Sequence, residues 1–211
     1  MCYYTQQGKS AAELTDYFNR NIDDQGNILQ SDFINGFGYP NIPVILDEKP
    51  DLIATNFTWG MIPENRDKDF RKHTLNARVE TLEEKATFSS YINKRCLVIA
   101  TGYYDWHWND PAGKSKTKHI IYSTQSEVFC MAGIHCSWQD KSGETWNTFS
   151  IVTTAPNETM KYVHNRKADA NDERMPIMIN PGDESSWLDH NNHPLDFAYP
   201  AYKPGLISFT V

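Results

Sequence analysis

Long apolar runs are missing from this chain of 211 residues. The longest, Cys96-Leu97-Val98-Ile99-Ala100, falls far short of the roughly 20 residues that a bilayer-spanning helix needs. Cysteine is scarce: four residues, at 2, 96, 130 and 136, with no CxxC pair among them. That excludes a disulfide scaffold and a cysteine-rich zinc module. His190 and His193 have no further His or Cys at ligand spacing, so no metal is expected. A Walker-type glycine loop, a dinucleotide fingerprint and a GxSxG elbow are all absent, and no cofactor is indicated. The first residues, Met-Cys-Tyr-Tyr-Thr-Gln-Gln-Gly-Lys-Ser, lack a basic region followed by an apolar one and read as no secretory leader. The expected compartment is a reducing cytoplasm. No repeat, low-complexity tract or linker interrupts the chain.

Aromatic residues, by contrast, are plentiful, with 6 Trp, 11 Tyr and 10 Phe, which is unlike a disordered chain. At about this length a domain buries roughly 70% of the surface its unfolded chain exposes, so residues 1–211 are read as one domain. The net charge of −7 argues against indiscriminate binding to nucleic acid. It is unevenly spread, however: residues 61–120 carry 11 Lys+Arg against 8 Asp+Glu, a balance of +3 that leaves −10 for the rest. Such a strip suits either a focused phosphate-binding groove or an ordinary solvated surface.

Ser10 with Glu13 reads as a capping box for a helix from about Ser10 to Arg20. Further helices are predicted from Glu80 towards Tyr91, from Pro156 to His164 and from Glu184 to Leu188. Strands are predicted at Val44–Leu46, across 52–62, at Cys96–Ala100, Lys118–Tyr122, Val128–Ile134, Thr148–Thr153 and Pro176–Ile179. Gly113 and Asp140-Lys141-Ser142-Gly143 suggest hairpin turns. Many short strands without regular βαβ alternation predict a single-domain α+β fold of mostly antiparallel, barrel-like β-sheets with a few flanking helices.

Four places could carry chemistry. Cys2 follows the initiator Met, and its small side chain is of the kind that favours removal of Met1. The product would hold an α-amine, with a pKa near 7.7–8.0, beside a thiol near 8.5. This pair can condense with an aldehyde to an imine and close to a thiazolidine ring. Position alone does not separate that reading from an incidental cysteine. Asn76 and Arg78, in Leu75-Asn76-Ala77-Arg78-Val79-Glu80-Thr81, would face one side of an extended segment, a carbonyl-orienting amide beside a phosphate-pairing guanidinium, or else are plain surface polarity. Asp105 lies among Tyr103, Tyr104, Trp106 and Trp108, where desolvation would raise its pKa for proton transfer, or where it caps a turn at a strand end. His164, near the end of a predicted helix and ahead of Glu173-Arg174-Met175-Pro176, is either a general acid–base or structural.

In order and spacing, Cys2, Trp59-Gly60-Met61-Ile62-Pro63, Asn76-Ala77-Arg78-Val79-Glu80-Thr81, Gly102-Tyr103-Tyr104-Asp105-Trp106 and His164 with Arg174-Met175-Pro176 resemble the SRAP (SOS-response-associated peptidase) family of abasic-site processing proteins. The resemblance implies a covalent crosslink between processed Cys2 and abasic sites in single-stranded DNA, with associated lyase activity and self-removal of Met1. It gives catalytic roles to Cys2, Asn76, Asp105 and His164. Asn76 would hold the amine or sugar, Asp105 would move protons, and His164 would open the sugar ring. DNA contacts fall to Trp59, Arg78, Trp106, Arg174 and Pro40, and the protein is expected to be a monomer. Three departures stand out. Asp105 replaces a Glu, Asn165 to Glu173 intervene between His164 and Arg174 where the family has a single residue, and Glu64 and Asn65 follow Pro63 in place of an aromatic pair. Two other readings are a Cys2/His164 amidase or peptidase and a non-catalytic single-strand binder.

Overall fold

The computed structural model describes residues 2–166 and 173–211. In chain order these form β1 (Tyr4–Gln7), α1 (Ala11–Phe18), β2 (Asn21–Ile22), β3 (Ser31–Asn35), β4 (Val44–Leu46), β5 (Lys49–Ala54), β6 (Phe57–Trp59) and β7 (Asn76–Arg78). There follow β8 (Arg95–Ala100), β9 (Gly102–Trp108), β10 (Lys116–Ser123), β11 (Phe129–Gln139), β12 (Thr145–Thr154) and α2 (Glu158–Val163). The chain ends with β13 (Met175–Pro176), β14 (Met178–Ile179), α3 (Glu184–Leu188) and β15 (Leu206–Thr210). None of the described helices is long and apolar enough to cross a membrane.

The strands make two sheets of mostly antiparallel pairing, and the fold is α+β. The smaller runs β15-β10-β9-β1-β3. The larger, curled like half a barrel, runs β13-β12-β11-β8-β4-β5-β2, with β14 on β11 and with β6 and β7 paired parallel to β12. Alternation along each strand assigns side chains to one of two cores. Val44, Leu46, Cys96, Val98, Phe129 and Met131 enter a core that also contains Tyr103, Ile121 and Cys2 from the smaller sheet's side. Ile45, Leu97, Ile99, Cys130, Ala132 and Ile134 point the other way, against Leu14 of α1 and Trp187 of α3. Burial on both faces explains why Cys96–Ala100 is apolar throughout instead of alternating.

Most predicted strands occur, several of them longer than expected, and residues 52–62 divide into β5 and β6. The predicted helix from Glu80 does not form. Tight turns at Val79–Thr81 and Ser89–Tyr91 take its place, in a segment whose Ser and Thr residues compete with helical hydrogen bonding. Asp105 lies in the middle of β9, not at a strand end, because Thr101 breaks the chain between β8 and β9 and sends them to different sheets.

Candidate functional site

Cys2 is a core residue, 1% exposed, immediately before β1. Asn76 Nδ2 donates to its carbonyl oxygen at 2.8 Å, and its Sγ faces Tyr4 O at 4.0 Å. Burial pushes the Cys2 thiol up to about 12, and the neighbouring negative charge of Asp105 adds to the rise. Asn76 is fixed by the parallel ladder of β7 on β12, where it stands opposite Ile151. Ala77 turns into the second core, so Asn76 and Arg78 share the other face of β7, as their spacing predicts. The Asn76 Oδ1 atom is buried with no hydrogen-bond partner.

Asp105 Oδ2 lies 2.7 Å from His164 Nδ1, while Oδ1 accepts from the Trp106 backbone N–H at 2.8 Å. The carboxylate of this shorter acid therefore reaches His164 directly. His164 caps the C-terminus of α2, donating its backbone N–H to Met160 O at 2.7 Å. Two clamps hold that end of α2 against β9. The His107 ring stacks on Tyr162 at 4.7 Å, with Nδ1 at 2.7 Å from Tyr162 O. Asn165 accepts from Trp108 N at 2.7 Å and donates to Trp108 O at 2.9 Å, imitating a neighbouring strand. His164, lying between the clamps, has little freedom to leave Asp105.

Beside this pair opens a cleft of ≈ 330 Å³, lined by Asp105, His164, Tyr3, Tyr4, Trp106, Trp108, Lys116 and Arg166. Trp106 is half-buried and meets Tyr4 edge-on at 4.8 Å. Lys116 Nζ and the Arg166 guanidinium lie 4.8 and 5.2 Å from the Trp108 ring centre, two cation–π contacts at one rim. A larger cleft of ≈ 550 Å³ around Tyr122 and Thr124 is lined mainly by hydroxyl and amide groups, and its Lys9 is paired with Glu127. It contains none of the groups just described. Among the described residues no group of three His, Cys, Asp or Glu side chains is gathered as a metal would require.

The four expected catalytic residues thus share one region. The expected DNA contacts divide. Trp106 lines the cleft and Arg78 is half-buried beside Asn76. Trp59 is not a surface stacker: it is 0% exposed, lies parallel to Phe149 at 6.4 Å and donates Nε1–H to Leu75 O at 2.8 Å. Arg174 is not a phosphate grip either. It is 5% exposed, forms a bidentate pair with Glu80 at 3.0 and 2.7 Å, and donates to Thr153 O at 2.6 Å. Pro40, half-buried, lies outside the cleft lining and accepts from Trp59 N at 2.9 Å. Met1 lies outside the described residues, as do 167–172 of the intervening segment.

Sequence reasoning missed Arg166, Lys116, Tyr3 and Tyr4. Arg166 carried a signal, since His164-Asn165-Arg166 has the His-x-Arg spacing and leaves the extra residues after the arginine. Tyr103 presents a further feature. It is 0% exposed and its hydroxyl has no hydrogen-bond partner. Such a buried orphan costs about 1–3 kcal/mol. Burial, and then the nearby Cys2 and Asp105, push that hydroxyl well above the usual tyrosine range.

A family model described as SOS response associated peptidase (SRAP) matches residues 1–204. The chain is 31% identical over 166 residues to the abasic site processing protein YoqW of Bacillus subtilis (strain 168), covering 78% of this chain and 70% of that one. It is 27% identical over 198 residues to the abasic site processing protein HMCES of Xenopus tropicalis, covering 78% of this chain and 56% of the relative. Among solved structures, an X-ray structure of a protein from Bacteroides thetaiotaomicron superposes with a TM-score of 0.86 at 30% identity, covering 100% of this chain and 92% of the other.

Proposed function

The chain belongs to the SOS response associated peptidase (SRAP) family, and from that premise we propose that it acts on abasic sites in single-stranded DNA by forming a covalent thiazolidine with Cys2 once Met1 has been removed. One observation carries the reading. A buried cysteine whose carbonyl is clamped by Asn76 lies within the electrostatic reach of Asp105, and Asp105 and His164, 2.7 Å apart, line a cleft rimmed by Lys116 and Arg166. The relatives' names as abasic site processing proteins supply the substrate class.

The chemistry follows from those groups. His164, held by Asp105, would protonate the deoxyribose ring oxygen as its bond to C1′ breaks, while the C1′ hydroxyl gives up its proton to water, opening the sugar to its aldehyde. The amine of processed Cys2 then attacks C1′. Its nitrogen gains a bond to carbon, the carbonyl oxygen takes up a proton, and water leaves to give the imine. The buried thiol stays protonated, so sulfur acts second: it adds to the imine carbon and its proton passes to nitrogen. Amine and aldehyde together lose one water. An amidase reading requires an activated thiolate, and burial keeps this thiol un-ionised. Arg166, Lys116 and Arg78 would meet flanking phosphates, with Trp106 stacking beside the missing base. Lyase activity and self-removal of Met1 belong to the same reading.

The test is an oligonucleotide bearing one abasic site, incubated with protein whose loss of Met1 has been verified by intact mass. A band resistant to denaturation is expected, and Cys2→Ala should abolish it. Processed protein that leaves the strand unlinked, or a Cys2→Ala variant that still links it, would overturn the proposal.

A further inference from the structure

We infer that Tyr103 is a further catalytic residue, its hydroxyl donating a hydrogen bond to the substrate's C1′ oxygen while Cys2 attacks; this rests on the crosslinking reading above. Tyr103 stands on β9 opposite Thr5 of β1 and Ile121 of β10. Its side chain enters the same core cluster as Cys2. Asp105, two residues along β9, projects from the same face of the strand. The β1–β9 register, continued from its pairing of Tyr4 with Tyr104, brings Tyr3 opposite Asp105 and the Cys2 backbone alongside. The hydroxyl therefore enters the site from the interior, while the cleft opens from solvent. Its proximity to both Cys2 and Asp105 is reflected in their joint effect on its ionisation.

Packing accounts for the ring but not for the hydroxyl. A phenylalanine would fill the same space and leave nothing unpaired. The neighbouring Tyr104 shows the contrast, since its hydroxyl donates to Asp32 O at 2.6 Å. An orphan donor buried in the same cluster as Cys2, and close enough to feel it electrostatically, can act where charge develops on oxygen as the carbonyl becomes a carbinolamine. Burial first, and then the adjacent Asp105 carboxylate, keep its proton in place, so Tyr103 acts as a donor and not as a base.

The test compares wild type with Tyr103→Phe, both processed to Cys2, in single-turnover crosslinking across a range of abasic-oligonucleotide concentrations. Loss of one preorganised donor should slow the saturating rate about 100-fold, with half-saturation unchanged and the melting temperature equal or higher. Wild-type rates in the variant would overturn the inference while leaving the crosslinking reading intact, and so would an effect confined to half-saturation. Failure of wild type to crosslink would overturn both. Should the variant fail to fold, NMR of wild type labelled at the tyrosine Cζ gives a substitution-free readout. A buried, non-titrating tyrosine resonance should move on binding a borohydride-reduced abasic strand, which keeps the C1′ oxygen but cannot condense, and its staying fixed would sink the inference.

Discussion

An arginine can commit its five N–H donors to the protein or leave them for a ligand, and the two arginines after His164 take opposite courses. Arg174 braces Glu80 to β12 through Thr153, whereas Arg166 is exposed at the cleft rim over Trp108. Arg166→Ala should weaken DNA binding and lower the salt slope by about 1, with the melting temperature unchanged. Arg174→Ala should instead leave the salt slope alone and lower stability by about 1–3 kcal/mol, because it strands the Thr153 carbonyl and the Glu80 carboxylate. Salt-dependent binding and urea unfolding of the two variants separate these outcomes. The order of Cys2, Asn76, Asp105 and His164 was legible in the sequence because each sits in a short motif. The depth of Trp59 was not, since a tryptophan beside a Gly-x-x-Pro element reads the same whether it faces solvent or Phe149. Nor does any local pattern reveal that the hydroxyl of Tyr103 lacks a partner, which depends on strands nearly a hundred residues apart.

At the scale of elements, what was legible depended on local signals. The capping box at the start of α1 is present in full: Ser10 Oγ accepts from Glu13 N at 3.4 Å and Glu13 Oε2 accepts from Ser10 N at 2.8 Å. Ser10→Ala should therefore cost about 1 kcal/mol, read as a fall of about 2–4 °C in melting temperature, with crosslinking unaffected because α1 packs in the core away from Cys2. The hairpins at Gly113 and at Asp140 were equally readable, the second closed by Asp140 Oδ1 accepting from Ser142 N and Glu144 N. Strands β1, β3 and β15 were not. Tyr-Thr-Gln-Gln and Ser-Asp-Phe-Ile-Asn have no strong strand pattern and become strands only by pairing with distant partners. The helix expected from Glu80 failed for the converse reason. Its charged residues favour a helix locally, but the pairing of Glu80 with Arg174 belongs to a tight turn at Val79–Thr81.

For the molecule as a whole, one carboxylate ties the C-terminal segment to the larger sheet. Asp47, in the turn between β4 and β5, lies 3.1 Å from His135 Nε2 on β11 and 2.6 Å from His190 Nε2 beyond α3. Burial works to raise its pKa, but the hydrogen bonds from the two histidines outweigh it and bring Asp47 down to about 2. An unfolded Asp titrates near 3.9, so the resulting stabilisation is complete above about pH 4 and is lost as the pH falls towards 2. Asp47→Asn should thus lose on the order of 1–2 kcal/mol at neutral pH and almost nothing near pH 2, a difference that urea titrations at several pH values will show. The sequence made the α+β class legible through its many short strands. It could not show that Cys2 lies deep in the core between the two sheets. That position has a consequence beyond catalysis. A sulfur kept in its protonated form is a poor target for peroxides and alkylating agents, so the fold that buries Cys2 also shields it from oxidative and alkylating loss.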